Sequence, residues 1–360
     1  MKDIRPQKSK HVLIAAAGTG GHIFPGLAIA EALKLNGWNV TWLGTKVGME
    51  NRLVLQRNLP FESIDFGGTR GKGLSTWLQM PFRLIKACID CGFIIAKTKP
   101  NLVIGFGGYV TLPAGLAARS LGKPLMIHEQ NSVIGLSNKV LACLTKHVFM
   151  AFPNVNCKAV VSGNPLRAEF LSVDEPELRF ENRKGPLRIL IVGGSLGAKF
   201  LNETVPSAIK LIDTKIRPQI THQSGIDQFD ALKKLYGALN VEADVVPFID
   251  NTAEAFAHAD LIICRAGAST VTEIAAVGAA AMFVPLPSAV DDHQTQNAMY
   301  LVRNEAAWLQ PQRELTPEKM ANEILKMDRD ILLKAAKNSK ELHIPNTINM
   351  IVDACEELIK

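Results

Sequence analysis

Residues 18 to 22, Gly-Thr-Gly-Gly-His, follow the apolar run HVLIAAA and open a segment, GLAIAEALKLNG, with helical patterning. Glycines between a strand and a helix let backbone N–H groups approach an anion at the helix's positive end, an arrangement suited to phosphate. A dinucleotide fingerprint would place its third glycine where this chain has Ile23. A nicotinamide domain would also end its second strand in a ribose-binding acid, yet the two candidate strands end in Gly44-Thr45 and Gln223-Ser224. His22, at a helix start, is biased toward the neutral imidazole. It can act as a general base or serve as a structural hydrogen-bonding residue.

Two further glycine loops follow strand-like runs: Gly193 to Gly197 around Ser195, and Ala266 to Thr270. Together the three point to a phosphorylated ligand. Glu273, three residues beyond Thr270, is expected in the first turn of a helix. There it either accepts two sugar hydroxyls beside a pyrophosphate or closes a capping box with Thr270. His128, Glu129, Gln130 and Asn131 stand together at a strand's end, where Glu129 rivals His22 as the base. Gln294 and Gln296, in DDHQTQNA, follow another strand as ligand contacts or as a solvated helix start.

Arg70, Lys72, Arg83 and Lys86 flank Leu74, Trp77, Leu78 and Phe82. Cations beside large apolar side chains suit an anionic membrane surface; burial against a sheet is the alternative. Asp328-Arg329-Asp330 has the D-x-D form of a metal site but lies in a charged helical stretch, and no metal is expected. Cys88 and Cys91 form a C-x-x-C with no second pair, which reads as two core residues on a helix.

These residues need a scaffold, and apolar β-branched runs alternating with helix-period segments imply parallel sheets built from βαβ units. Strands are expected at HVLIAA, NVTWLG, FESI, LVIGF, PLMIH and HVFM, then at RILIV, QITHQ, ADVVP, LIIC and AMFVP. LSVDEPELRFENRKGP between the two sets reads as a linker. The 360 residues therefore divide into 1–167, 168–345 and a final helix, 346–360, that caps the second domain or packs back on the first. Ligands are expected where the strands' carboxyl ends face a cleft. The first 167 residues carry 20 Lys+Arg against 7 Asp+Glu, and the remainder 20 against 27. A basic half attracts anionic lipid, phosphorylated substrate or nucleic acid, and the charge count does not choose among them. No segment reaches the ~20 apolar residues of a membrane span, and the six scattered cysteines suit a reducing compartment.

The set Ala17–Pro25, RGKG at 70–73, GFGGYVTLPAGLAA, HEQN, GNPLR at 163–167, the glycine loop at Ser195, CRAGASTVTEIAA and DDHQTQNA resembles the MurG family of N-acetylglucosaminyltransferases and spans nearly the whole chain. The resemblance implies a GT-B fold, in which two Rossmann-like doubly wound α/β domains take the lipid acceptor and the UDP-sugar respectively. It implies inverting transfer of N-acetylglucosamine from UDP-N-acetylglucosamine to the C4 hydroxyl of the muramyl sugar of lipid I, giving lipid II for peptidoglycan. Neither metal nor cofactor is implied, and nucleic acid is not an implied partner. Donor contacts carry over to Thr19, Gly20, Gly21, Asn131, Arg167, Ser195, Ile249, Ala268, Ser269, Thr270, Val271, Thr272, Glu273 and Gln294. Membrane contacts are expected from Leu74, Trp77, Leu78, Phe82, Arg83 and Lys86, at the cytoplasmic face of a bacterial membrane, with cell-wall synthesis proteins as further partners. Leu196 stands where the family commonly has glutamine. The alternatives are a UDP-N-acetylglucosamine 2-epimerase of the same fold, or a non-catalytic module binding UDP-sugar or polyprenyl phosphate.

Overall fold

A computed structural model describes residues 10–67, 78–153, 159–194 and 196–360. The chain divides into two compact units, Met1–Leu166 with Pro345–Lys360, and Arg167–Ile344. Arg167 thus opens the second unit, and the final helix is counted with the first.

The strands of the first unit are β1 (His11–Ala16), β2 (Asn39–Thr45), β3 (Phe61–Ile64), β4 (Leu102–Gly107), β5 (Leu125–Glu129), β6 (His147–Met150) and β7 (Val160–Val161). They form one sheet in the order β3-β2-β1-β4-β5-β6-β7, with every pairing parallel. After the partly buried His11, β1 is apolar and buried throughout, as is β4, as central strands covered on both faces must be. β7 was not expected: two exposed valines carry too little pattern to be read as a strand.

The second unit holds β8 (Arg188–Val192), β9 (Gln219–Gln223), β10 (Asp244–Val246), β11 (Leu261–Cys264), β12 (Ala281–Phe283) and β13 (Ala307–Leu309). Their order is β10-β9-β8-β11-β12-β13, again all parallel. Each sheet reverses direction beside its first strand, between β1 and β4 and between β8 and β11. Ligands of open parallel sheets bind at the carboxyl ends of such switch points.

One expectation about connections is corrected. The segment 171–186 is no free linker: it contains the helix Pro176–Phe180, whose Phe180 joins the second core and stacks under Arg183, 4.5 Å from the ring centroid. Arg183 pairs with the fully buried Asp260, which also accepts from Arg329 at 3.2 Å and from the Arg188 amide at 2.9 Å. Asp328, of the D-x-D, caps the helix Arg329–Glu341 by accepting the Ile331 amide at 2.8 Å.

The helix Thr347–Leu358 inserts Ile351, Val352 and Cys355 into the core beneath β1 and the helix Gly20–Leu35. Glu356 fixes it there, accepting from Trp38 Nε1 at 2.6 Å and pairing with Lys10. Cys91 is buried on the helix Met80–Thr98 and its thiol is pushed up to about 12 by desolvation, so it has no thiolate to offer redox chemistry.

Candidate active site

In the first unit, β1 ends at Ala16 and the chain passes through Ala17, Gly18 and Thr19 into the helix Gly20–Leu35. Thr19 is the N-cap but makes no side-chain cap bond, which leaves the helix's first amides without a covering side chain. β4 ends beside this loop. Thr111 binds the two strand ends together, its Oγ1 donating to Ala15 O at 3.0 Å and accepting from Gly107 N at 3.0 Å. The His22 ring lies over Gly107: a Cβ there would be 2.8 Å from its Cδ2, and Gly107 has φ +100°. His22 Nδ1 is 3.3 Å from Ala17 O, so the imidazole is held at the switch point by backbone on two sides.

Of the polar run that ends β5 and continues past it, His128, Glu129 and Gln130 are buried. His128 donates from Nε2 to Gly163 O at 2.9 Å and accepts at Nδ1 from Gln130 at 2.9 Å; burial lowers its pKa to about 4. Glu129 is only 3% exposed. Its Oε1 accepts from the Asn131 amide at 3.0 Å, and its Oε2 accepts from the Gly135 amide and Asn138 Nδ2, each at 3.0 Å. Both carboxylate oxygens are thus engaged in fixing the loop that carries Asn131.

In the second unit, the loops after β8 and β11 flank the other switch point. Gln223, the last residue of β9, donates to Gly194 O at 2.9 Å and accepts the Ile249 amide at 3.3 Å, joining the glycine loop to the segment bearing Ile249. Gln228 donates to Leu196 O at 3.1 Å, and Leu196 itself is exposed. The helix Ala268–Val277 begins after Gly267, its N-cap, with no side-chain cap bond. Thr270 and Glu273 therefore do not form the capping box considered above, and Glu273 lies in the second turn rather than the first. Thr272 Oγ1 bonds back to Ala268 O at 3.0 Å, whereas the buried Ser269 hydroxyl has no protein partner among the described residues.

Glu273 retains some solvent contact but sits deep among protein atoms, and its carboxyl is pushed up to about 7. Desolvation is the main cause; nearby Arg167 opposes it and Glu169 adds to it. Arg167 in turn pairs with Glu169 at 2.8 Å. Gln294, on the helix His293–Val302, accepts the Leu286 amide at 2.9 Å and so holds the loop after β12. Within that loop Asp291 and Asp292 both have φ of +50°, an uncommon conformation for residues with side chains.

Ser195, Arg70, Lys72, Leu74 and Trp77 lie outside the described residues. Beyond them, Phe82 on the helix Met80–Thr98 is 75% exposed. Leu78, Ile85, Ile89 and Phe93 are exposed too, and positions 82, 85, 89 and 93 follow one helical face. Ala87, Cys91, Ile94 and Ile95 face the core instead. Arg83 and Lys86 border the apolar stripe. Ile89 and Phe93 extend the stripe beyond the membrane contacts expected from the sequence. Among the described residues no helix is long and apolar enough to cross a membrane, and no cluster of His, Cys, Asp and Glu could hold a metal.

Two family models match the chain: the glycosyltransferase family 28 N-terminal domain over residues 12–150 and its C-terminal domain over residues 188–351. The chain belongs to glycosyltransferase family 28. A relative from Acidovorax sp. (strain JS42), named UDP-N-acetylglucosamine–N-acetylmuramyl-(pentapeptide) pyrophosphoryl-undecaprenol N-acetylglucosamine transferase, is 54% identical over 99% of this chain and 89% of its own. The crystal structure of Acinetobacter baumannii MurG superposes with a TM-score of 0.85 at 44% identity, covering 97% of this chain and 99% of that one. The family 28 fold is GT-B, in agreement with the two doubly wound sheets. A putative UDP-N-acetylglucosamine 2-epimerase from Listeria monocytogenes has a TM-score of 0.64 at 13% identity, covering 97% of this chain and 96% of its own, a likeness of fold alone.

The packing of His22 on Gly107 gives a direct test. Gly107→Ala adds a methyl group into the imidazole and forces a side chain onto a positive φ, which should cost about 1–3 kcal/mol of stability. Denaturant unfolding measures this, and an unchanged midpoint would mean that ring and loop separate freely.

Proposed function

We propose that this family 28 chain transfers N-acetylglucosamine from UDP-N-acetylglucosamine to the C4 hydroxyl of the muramyl sugar in lipid I, with inversion, forming lipid II. The observation that carries this reading is the 54% identity over 99% of the chain to a relative named for that transfer. An epimerase role rests on fold likeness alone.

In this reading the first unit takes the acceptor, and His22 removes the C4 hydroxyl proton as the oxygen attacks C1 of the donor sugar. Glu129 is assigned to loop positioning rather than to the base, because both its oxygens are already occupied by donors. The second unit takes the donor. The amino end of the helix Ala268–Val277, the Ser269 hydroxyl and the Arg167 guanidinium meet the charge that grows on the departing diphosphate. Glu273 accepts the ribose hydroxyls, with further donor contacts from Thr19, Gly20, Gly21, Asn131, Ser195, Ile249, Ala268, Thr270, Val271, Thr272 and Gln294. The stripe Leu78, Phe82, Ile85, Ile89 and Phe93, bordered by Arg83 and Lys86, rests on the cytoplasmic leaflet where the lipid acceptor is embedded.

Purified protein given labelled UDP-N-acetylglucosamine and a lipid I analogue should yield a β1,4-linked disaccharide lipid. Epimerised UDP-sugar without acceptor would overturn the assignment. In the same assay His22→Ala should lower kcat by about 10²- to 10⁴-fold, the usual contribution of a positioned general base.

Donor affinity should rise with pH through about 7, because Glu273 must lose its proton to accept two hydroxyls. The stability effect runs oppositely. A carboxyl whose pKa is raised by folding favours the folded state when protonated, so its contribution falls as pH rises from the unfolded value toward about 7. Glu273→Gln should therefore bind donor more weakly at pH 8 yet melt at a higher temperature there than the parent. Calorimetry and melting curves measure the two effects, and a pH-independent affinity would remove Glu273 from the ribose site.

Replacing Phe82, Ile89 and Phe93 by serine should release the protein from phosphatidylglycerol vesicles while leaving donor affinity intact. Undiminished sedimentation with the vesicles would refute the membrane assignment.

A further inference from the structure

Glu50 is an acidic residue with no solvent exposure, placed in the helix Met49–Leu55 that follows β2. Its Oε1 accepts from the Thr45 amide at 2.9 Å and from Thr45 Oγ1 at 2.6 Å, while its Oε2 accepts from the Gly18 amide at 3.3 Å. The chain around it has been cleared to admit the carboxylate. A Cβ on Gly48 would lie 2.1 Å from Oε1, and one on Gly44 would lie 2.7 Å from Glu50 Cγ.

The amide that Glu50 holds belongs to the Ala17–Gly18 peptide, and the carbonyl of that same peptide faces His22 Nδ1 at 3.3 Å. In a planar trans peptide the N–H and C=O point in opposite directions. Glu50 and His22 therefore grip the two ends of one rigid group. A carbonyl oxygen only accepts, so this contact puts the imidazole proton on Nδ1 and gives Nε2 the basic lone pair. A carboxylate drawing on the N–H also polarises the peptide, making Ala17 O a stronger acceptor for Nδ1–H.

We propose that Glu50 is a positioning residue for His22, acting through the Ala17–Gly18 peptide to fix the imidazole's tautomer and orientation. The proposal rests on the reading of His22 as the base. It resembles the carboxylate that orients a catalytic histidine in a hydrolase triad, with a peptide group placed between the two side chains.

The test is histidine ¹⁵N spectroscopy of the ligand-free protein, with the His22 signals assigned by their loss in His22→Gln. Glu50→Gln keeps the shape but presents an NH₂ group where acceptors are needed. It should shift the His22 signals from the Nδ1–H pattern toward a mixture of tautomers. It should also lower kcat by about 10- to 100-fold, as misplacement of a reacting group does, with the donor KM nearly unchanged. Combined with His22→Ala it should slow the enzyme no further than His22→Ala alone. Glu50→Asp, which keeps the charge but not the reach, should give an intermediate change and serves if the glutamine variant fails to fold. Unaltered His22 signals in both variants, or losses that multiply with that of His22→Ala, would overturn the proposal. If His22→Ala left kcat intact, the base assignment would fall while the spectra still decided the relay. A slow His22→Ala enzyme beside unaltered Glu50 variants would reject the relay alone.

Discussion

Where a doubly wound parallel sheet reverses direction, two neighbouring strands send their connections to opposite sides, and the backbone at their ends loses its ladder partners. Buried amides and carbonyls left in that condition are costly. Both units meet this constraint with side chains instead of further secondary structure. Thr111 joins the ends of β1 and β4, Glu129 takes up the amides after β5, and Gln223 spans from the glycine loop to Ile249. The loops are thus held in place by the protein's own side chains.

Satisfaction is incomplete at the places assigned to ligand. The helices Gly20–Leu35 and Ala268–Val277 both begin without a side-chain cap, and Ser269 Oγ is buried without a protein partner among the described residues. Side-chain caps close the helices opening at Thr252, Pro317 and Arg329, whereas others, Met49–Leu55, Lys199–Leu211 and His293–Val302 among them, also begin without one, so it is the buried Ser269 hydroxyl that sets the second helix start apart. A missing cap forgoes about 1 kcal/mol, and forgoing it at these two helices leaves amides available to an anion. Glu273 belongs with them, as a carboxyl kept in surroundings that disfavour its charge.

The sheets were legible because their central strands are continuous apolar runs: HVLIAA and LIIC admit few other readings. The glycine loops were legible as turns between strand and helix, and His22 as a residue of a helix's first turn. Short edge strands such as β7 and β13 carry too few residues for a period to show. The helix Pro176–Phe180 was hidden within a charged segment because its anchors, Arg179 and Arg183, bind carbonyls distant in sequence. The roles of Glu50 and Gln223 are not legible for a related reason. Their roles depend on a tertiary approach between strands, and nothing in GTKVGME or QITHQ announces which amide each side chain will meet. The first turn assigned to Glu273 failed because the helix starts at Ala268, two residues before Thr270.

The return of the helix Thr347–Leu358 to the first unit sets an order of events during synthesis. That helix follows the whole of Arg167–Ile344 in the chain, yet Ile351, Val352 and Cys355 belong to the core beneath β1. A ribosome therefore delivers every strand of the first sheet long before the piece that closes its core. The second unit is contiguous and can complete itself as it emerges, whereas the first must wait with one apolar face uncovered. The unit translated first is the last to be finished, and its unsealed face is a surface that a nascent-chain chaperone would have reason to hold.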